Sequence, residues 1–274
     1  MNEETMASNN PAFSRIPVFN GKGLDKQSAQ QVPTLSADGL QQMYDGPTAT
    51  AADTNRMSYD DVIIKTGVSF IVLLAFAVVG WQVPALMAPA AIVGFALALV
   101  NIFKRTPSAP LVLLYAAAEG LFIGAISGVF ETIYPGVVVQ AVIATVCVFA
   151  VTLALFASGK IRASRRATKI FLIAMVGYML FSLVNIVLMV TGVQSTGFGL
   201  NSNVHILGIP LGLIIGVFVT ILAAYSLVLD FDQIQRGVRA GAPRIYGWSA
   251  AFGLVVTVVW LYLELLRMFA IARN

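Results

Sequence analysis

Three carboxylates set in apolar surroundings are the residues of this chain with chemistry to offer. They are Glu119 in Leu-Tyr-Ala-Ala-Ala-Glu-Gly-Leu-Phe, Asp230 in Leu-Val-Leu-Asp-Phe-Asp-Gln-Ile, and Glu264 in Leu-Tyr-Leu-Glu-Leu-Leu-Arg. Only Glu131 and Asp232 join them after Asp61. An ionised side chain in hydrocarbon costs at least ~2.5 kcal/mol even on insertion scales, so an acid within a membrane segment is by default a candidate proton or cation site. Two carboxylates in one poorly hydrated site cannot both ionise cheaply, and a shared proton there acts as a switch. A hard cation such as Ca²⁺ takes oxygen ligands, which carboxylates and free backbone carbonyls supply. No EF-hand spacing is present, so such binding is expected to be weak and transient, and no resident cofactor or metal is implied.

Each acid also has a plainer reading. Glu119 lies deep in its run, beyond the reach of snorkelling, and either titrates or coordinates an ion, or makes a structural hydrogen bond or ion pair. Asp230 closes its run, where it is either a gate or an acid solvated by interfacial water. Asp232 precedes Arg236 by four residues and is expected to pair with it on a helix face. Glu264 precedes Arg267 by three, and pairing with that arginine stands beside a gating role. Glu131, next to Tyr134-Pro135, belongs to a turn and is expected in solvent.

The elements that position these residues follow from composition. Hydrophobic residues make up 58% of the chain and charged ones 11%, with a mean hydropathy of +0.84, against roughly 25% charged residues in an ordinary soluble domain. This is the composition of an integral membrane protein. Seven apolar runs, at approximately 62–81, 84–103, 109–130, 135–157, 170–191, 206–229 and 246–268, each approach the ~20 residues that a ~30 Å hydrocarbon core requires. Backbone groups in lipid must be satisfied internally, and runs this long suit helices and not barrel strands, so the fold class is all-α and polytopic. Gly120, Gly124 and Gly128 in the third run, and Gly208, Gly212 and Gly216 in the sixth, repeat every four residues and mark helices that pack closely.

Residues 1–57 are polar, without sustained periodicity, and are expected to be a disordered tail with no signal-peptide pattern; residues 58–274 form the membrane domain. The segment from Asn10-Pro11-Ala12-Phe13 to Phe19 is either a docking peptide or a part of that tail. The formal charge of +4 is concentrated next to the spans: the loops after the second, fourth and sixth runs hold ten basic residues and the opposite loops hold none. The positive-inside rule therefore puts the tail and the basic loops in the cytoplasm, and seven spans put the C-terminus outside. Arg267 and Arg273 load the supposed outer end with positive charge, so a last span that stops short or re-enters is the alternative. No basic patch interleaved with aromatics is present, which argues against a nucleic-acid partner. Cys147 is the single cysteine and His205 the single histidine. Neither a disulfide nor a Ser/His or Cys/His pair within the spans can be formed, and an enzyme is not expected.

Two segments resemble a known family. Asp230-Phe231-Asp232-Gln233-Ile234 is similar to the Asp-x-x-Gln-Ile signature of the Bax inhibitor-1 family, also called the transmembrane BAX inhibitor motif family, and Leu261-Tyr262-Leu263-Glu264 to its Leu-Tyr-Leu-Asp. Glu119-Gly120, seven spans and an Asn-Pro-x-Phe tail resemble its bacterial branch with long N-termini. The resemblance implies seven helices with the last near the centre of the bundle, and a pH-sensitive calcium leak in which two aspartates of the last two helices share a proton. Asp230 matches the first aspartate and Glu264 the second. The second acid is Glu instead of Asp and lies 34 residues on, near the far end of the last helix, so Glu119 is the other candidate partner of Asp230. The resemblance also admits a regulator bound to a membrane partner such as a membrane protease.

Overall fold

The computed structural model describes residues 55–193 and 198–273, all within the compact unit Thr50–Asn274. Of the segment expected as a tail, residues 1–54, including Asn10 to Phe19, lie outside the described residues. Asn55, Arg56 and Met57 are described, and they pack against the bundle.

Seven helices are long and apolar enough to cross a membrane. They are α1 (Tyr59–Gln82), α2 (Met87–Phe103, entered through the 3₁₀ turn Pro84–Leu86), α3 (Ala109–Ile133), α4 (Val137–Ala157), α5 (Arg165–Val190), α6 (Leu211–Arg239) and α7 (Gly247–Arg273). Local chemistry starts them where the sequence provides caps. The Ser58 hydroxyl accepts from the amide of Asp61 at 3.2 Å to begin α1, and the Ser164 hydroxyl accepts from that of Ala167 at 3.2 Å to begin α5. Glu131, expected in solvent, is also a cap: its carboxylate accepts from the amides of Gly136 at 2.6 Å and Val138 at 3.1 Å, where α4 begins.

The sixth element departs most from expectation. Residues 205–210 do not join the helix; they form a small hairpin, His205–Ile206 against Ile209–Pro210. Its turn is Leu207-Gly208, with φ of 54° and 82°, the left-handed geometry of a tight hairpin. Gly208 thus belongs to a turn and not to a helix ladder. At the other end α6 runs on to Arg239, ten residues past the expected stop at 229, because Phe231 and Ile234 keep an apolar face toward the core. Asp232 and Arg236 stabilise the extension with an ion pair at 2.7 Å, and Arg236 and Arg239 meet the negative end of the helix dipole.

The glycine ladders serve contacts with different partners. A Cβ on Gly120 would run into the backbone of Leu73, and one on Gly124 into that of Ala77, so α3 lies directly on α1. Gly212 and Gly216 make room for Ile271 and Met268 of α7. The last helix is central: it packs against α1, α3, α4 and α6, and 61% of its most apolar 18-residue stretch is buried, against 11% for the second and fifth spans. α7 has no break or reversal along its length. It continues unbroken to Arg273, whose guanidinium donates to the Pro135 carbonyl between α3 and α4, at the end opposite the basic loops.

Candidate functional site

Asp230 sits inside α6 and not at its end. The helix continues for nine residues, about 14 Å of rise, before Arg239. One carboxylate oxygen, Oδ2, accepts from the Thr257 hydroxyl of α7 at 2.6 Å. The other, Oδ1, faces Gly253, where a side-chain carbon would stand 3.6 Å away. Asp230 and Gly253 both form part of the wall of a cavity of about 200 Å³, together with Gln233, Gly237, Tyr246, Ser249 and Met57. Apart from Met57, which precedes α1, these residues come from α6 and from the segment that opens α7, on either side of the 240–243 turn, so the cavity lies toward the basic-loop end.

Glu264 is elsewhere. It is seven residues beyond Thr257 on α7, about 10 Å further along the axis. Its carboxylate accepts from Arg267 Nη2 at 2.5 Å and Nε at 3.2 Å. It also accepts from the Tyr178 hydroxyl of α5, and Arg267 reaches the same phenol at 3.3 Å. The result is a closed triad of acid, guanidinium and phenol, 7% exposed at Glu264, that ties α5 to α7.

Glu119 faces a third neighbourhood. Its Oε1 would stand 3.0 Å from a Cβ on Gly94, so it lies in the seam between α2 and α3. It interacts with Tyr115 one turn earlier, and the Tyr115 ring packs edge-on against Phe252 of α7 with centroids 4.9 Å apart. Asp232 keeps to its own helix, paired with Arg236. The five sequence-predicted residues therefore form no single cluster: Glu264 and Arg267 meet each other, while Asp230 and Glu119 each have separate partners. The direct Asp230–Glu264 contact implied by the resemblance is absent, since the two acids meet α7 two turns apart and Arg267 already neutralises one of them. Among the described residues no three His, Cys, Asp or Glu side chains come together as a metal site.

One polar cluster was missed. Lys65, four residues into the first apolar run, is 8% exposed. Its ammonium contacts Asp61 at 2.5 Å and donates to the Arg244 carbonyl at 2.6 Å. The Arg244 guanidinium returns to Asp61 at 2.7 Å, and Lys65 also lies 5.6 Å from the Trp248 ring. The group fastens the start of α1 to the start of α7. Its sequence signal was the i,i+4 spacing of Asp61 and Lys65; starting the span at Val62 divided the pair.

A central last helix with an acid-bearing sixth helix against it, preceded by five further spans, is the architecture the resemblance implied. A family model described as Bax inhibitor 1 like matches residues 10–274. The chain belongs to the Bax inhibitor 1 like family. The match takes in nearly the whole chain and extends 48 residues further toward the N-terminus than the resemblance carried by the spans. No curated protein sequence matches the chain. The two segments that carried the resemblance lie on α6, with Asp230, and on α7, with Glu264.

Proposed function

We propose that the chain is a proton-regulated cation leak with Ca²⁺ as cargo, and that Asp230 is its titrating gate. One observation carries the reading: the Asp230 carboxylate borders a cavity toward the basic-loop end and is hydrogen-bonded there only by a neutral hydroxyl, among the described residues. Ionised, Asp230 draws a cation into the cavity and offers it Oδ1, an oxygen of the type hard cations prefer. Protonated, it offers no charge, so passage through the bundle follows the state of this one group. Glu264 then serves as a latch between α5 and α7, and Glu119 as the polar contact between α2 and α3. In this reading the protein lies in the cell membrane with the basic loops in the cytoplasm and the Arg273 end outside.

The test is flux from purified full-length protein in liposomes carrying a Ca²⁺ indicator, across a pH series. A pH-dependent flux whose pH dependence is flattened by Asp230→Asn is the expected result. Absence of cation flux at every pH, or an unchanged pH profile in Asp230→Asn, overturns it. A stoichiometric membrane-protein partner retained in mild detergent, together with no flux from the isolated protein, would identify a regulator instead.

A further inference from the structure

The residues just before α1 pass across the turn between α6 and α7, at the mouth of the cavity that Asp230 borders. The Met57 amide donates to the Ala242 carbonyl at 2.7 Å, and the Arg244 amide donates to the Asn55 carbonyl at 2.9 Å. Between them Arg56 forms an isolated antiparallel bridge with Pro243. The strap Asn55–Ser58 is thus held by main-chain bonds to one turn, and the Asp61–Arg244 ion pair anchors the start of the helix that follows it.

Met57 points inward. It is 5% exposed, its sulfur stands 3.2 Å from where a Cβ of Gly237 would be, and it shares the cavity wall with Asp230. A second cavity, of about 480 Å³, also adjoins the strap, lined by Arg56 to Asp60 of the strap and α1 and by Val238 to Gly241 near the end of α6. Met57 borders both spaces, so its side chain has room next to it besides the seat it occupies. Methionine, unbranched and with three rotatable bonds, is suited to leave one space for the other. Gly237 matters for the same reason, because a side chain there would push the thioether out of its seat.

The geometry points to Met57 and its strap as a closure over the Asp230 cavity, which sets how much of the time that cavity communicates with the basic-loop side. The inference names the regulation of the site proposed above, and it rests on that reading only for its consequence in flux. Accessibility of the cavity tests it without any flux.

In a full-length Cys147→Ser background, Ala250→Cys puts a thiol on the cavity wall, and its modification rate by a cationic, membrane-impermeant methanethiosulfonate is measured in detergent. If the strap is open about a tenth of the time, Met57→Ala raises the rate about tenfold, and Met57→Leu, which fills the seat without that freedom, leaves it at or below the parent value. A disulfide between Arg56→Cys and Pro243→Cys, the bridged pair, lowers the rate relative to the same protein kept reduced. A rate unchanged by both Met57→Ala and the disulfide overturns the closure, whether or not the protein conducts. Should Met57→Ala fail to fold, the disulfide alone decides through its opposite sign. If the rates respond while no variant passes cations at any pH, the closure stands and the leak reading falls.

Discussion

Around Glu264 a buried carboxylate meets a guanidinium and a phenol. Around Asp230, two helical turns nearer the basic loops, a carboxylate on the facing helix meets one threonine hydroxyl and a cavity. Both acids sit in apolar helices, and the fold meets the cost of burying them in two ways. Pairing with Arg267 compensates Glu264 where it stands, at the expense of any freedom to bind something else. Asp230 instead has Oδ2 bonded to Thr257 and Oδ1 beside Gly253, with no cationic side chain paired to it among the described residues. The comparison teaches that an acid within the membrane is not by itself a site. What distinguishes the two is the partner and the adjoining space, and neither is a property of the acid.

The contrast can be broken experimentally, and the largest effect is expected at the latch. Arg267→Ala strands a buried carboxylate and is expected to destabilise the protein by about 3 kcal/mol, read as a lower unfolding midpoint in detergent. Exchanging both partners, Glu264→Gln with Arg267→Met, is expected to recover most of that loss. If the single variant is as stable as the parent, Glu264 is not the compensated acid described here. At the other acid, Thr257→Val removes the hydrogen bond that the Asp230 carboxylate accepts among the described residues and is expected to cost about 1 to 2 kcal/mol, limited because water in the cavity can replace the hydroxyl. A larger loss than at Arg267 would reverse the comparison.

Tyr178→Phe should cost about 1 kcal/mol, since Arg267 still holds Glu264 after the phenol's hydroxyl is gone. The smallest effect is the coupling between the two regions. In a double-mutant cycle of Asp230→Asn with Arg267→Ala, the interaction free energy is expected to stay below about 0.5 kcal/mol. A coupling well above that value would mean that the acids act as one unit, as the family resemblance alone implies.

Much of this arrangement was legible in the sequence and some of it was not. The seven spans, the Asp232–Arg236 pair and the Glu264–Arg267 pair are local, because a helix fixes which residues three and four apart come together. The length of α6 was misread because Asp230 and Asp232 look like the polar end of a span. The apolar face made by Phe231 and Ile234 continues past them, and burying it decides where the helix stops. Asp61 and Lys65 were divided for the converse reason: a lysine inside an apolar run looks tolerable only after the Arg244 carbonyl and carboxylate partners are known. Met57 carried no signal at all, since a lone methionine in a polar stretch does not show what it will cover.

By itself, then, the sequence determined that the chain crosses a membrane in seven helices, which of its acids are costly to bury, and to which family it belongs. The hydrocarbon thickness, the need to satisfy backbone groups and the helical repeat impose the spans on any chain of this composition, whereas the family rests on the particular segments at 230–234 and 261–264 and on the match over residues 10–274. Only the tertiary structure decided that Asp230 faces Thr257 and a cavity, that Glu264 faces Arg267 and Tyr178, and that Met57 is buried on the wall of the first acid's cavity. Such pairings depend on the rotation and depth of helices distant in the chain. Those are set by close packing at Gly120, Gly124 and Gly216, where a missing side chain, read in sequence as a mere spacing, fixes which faces meet.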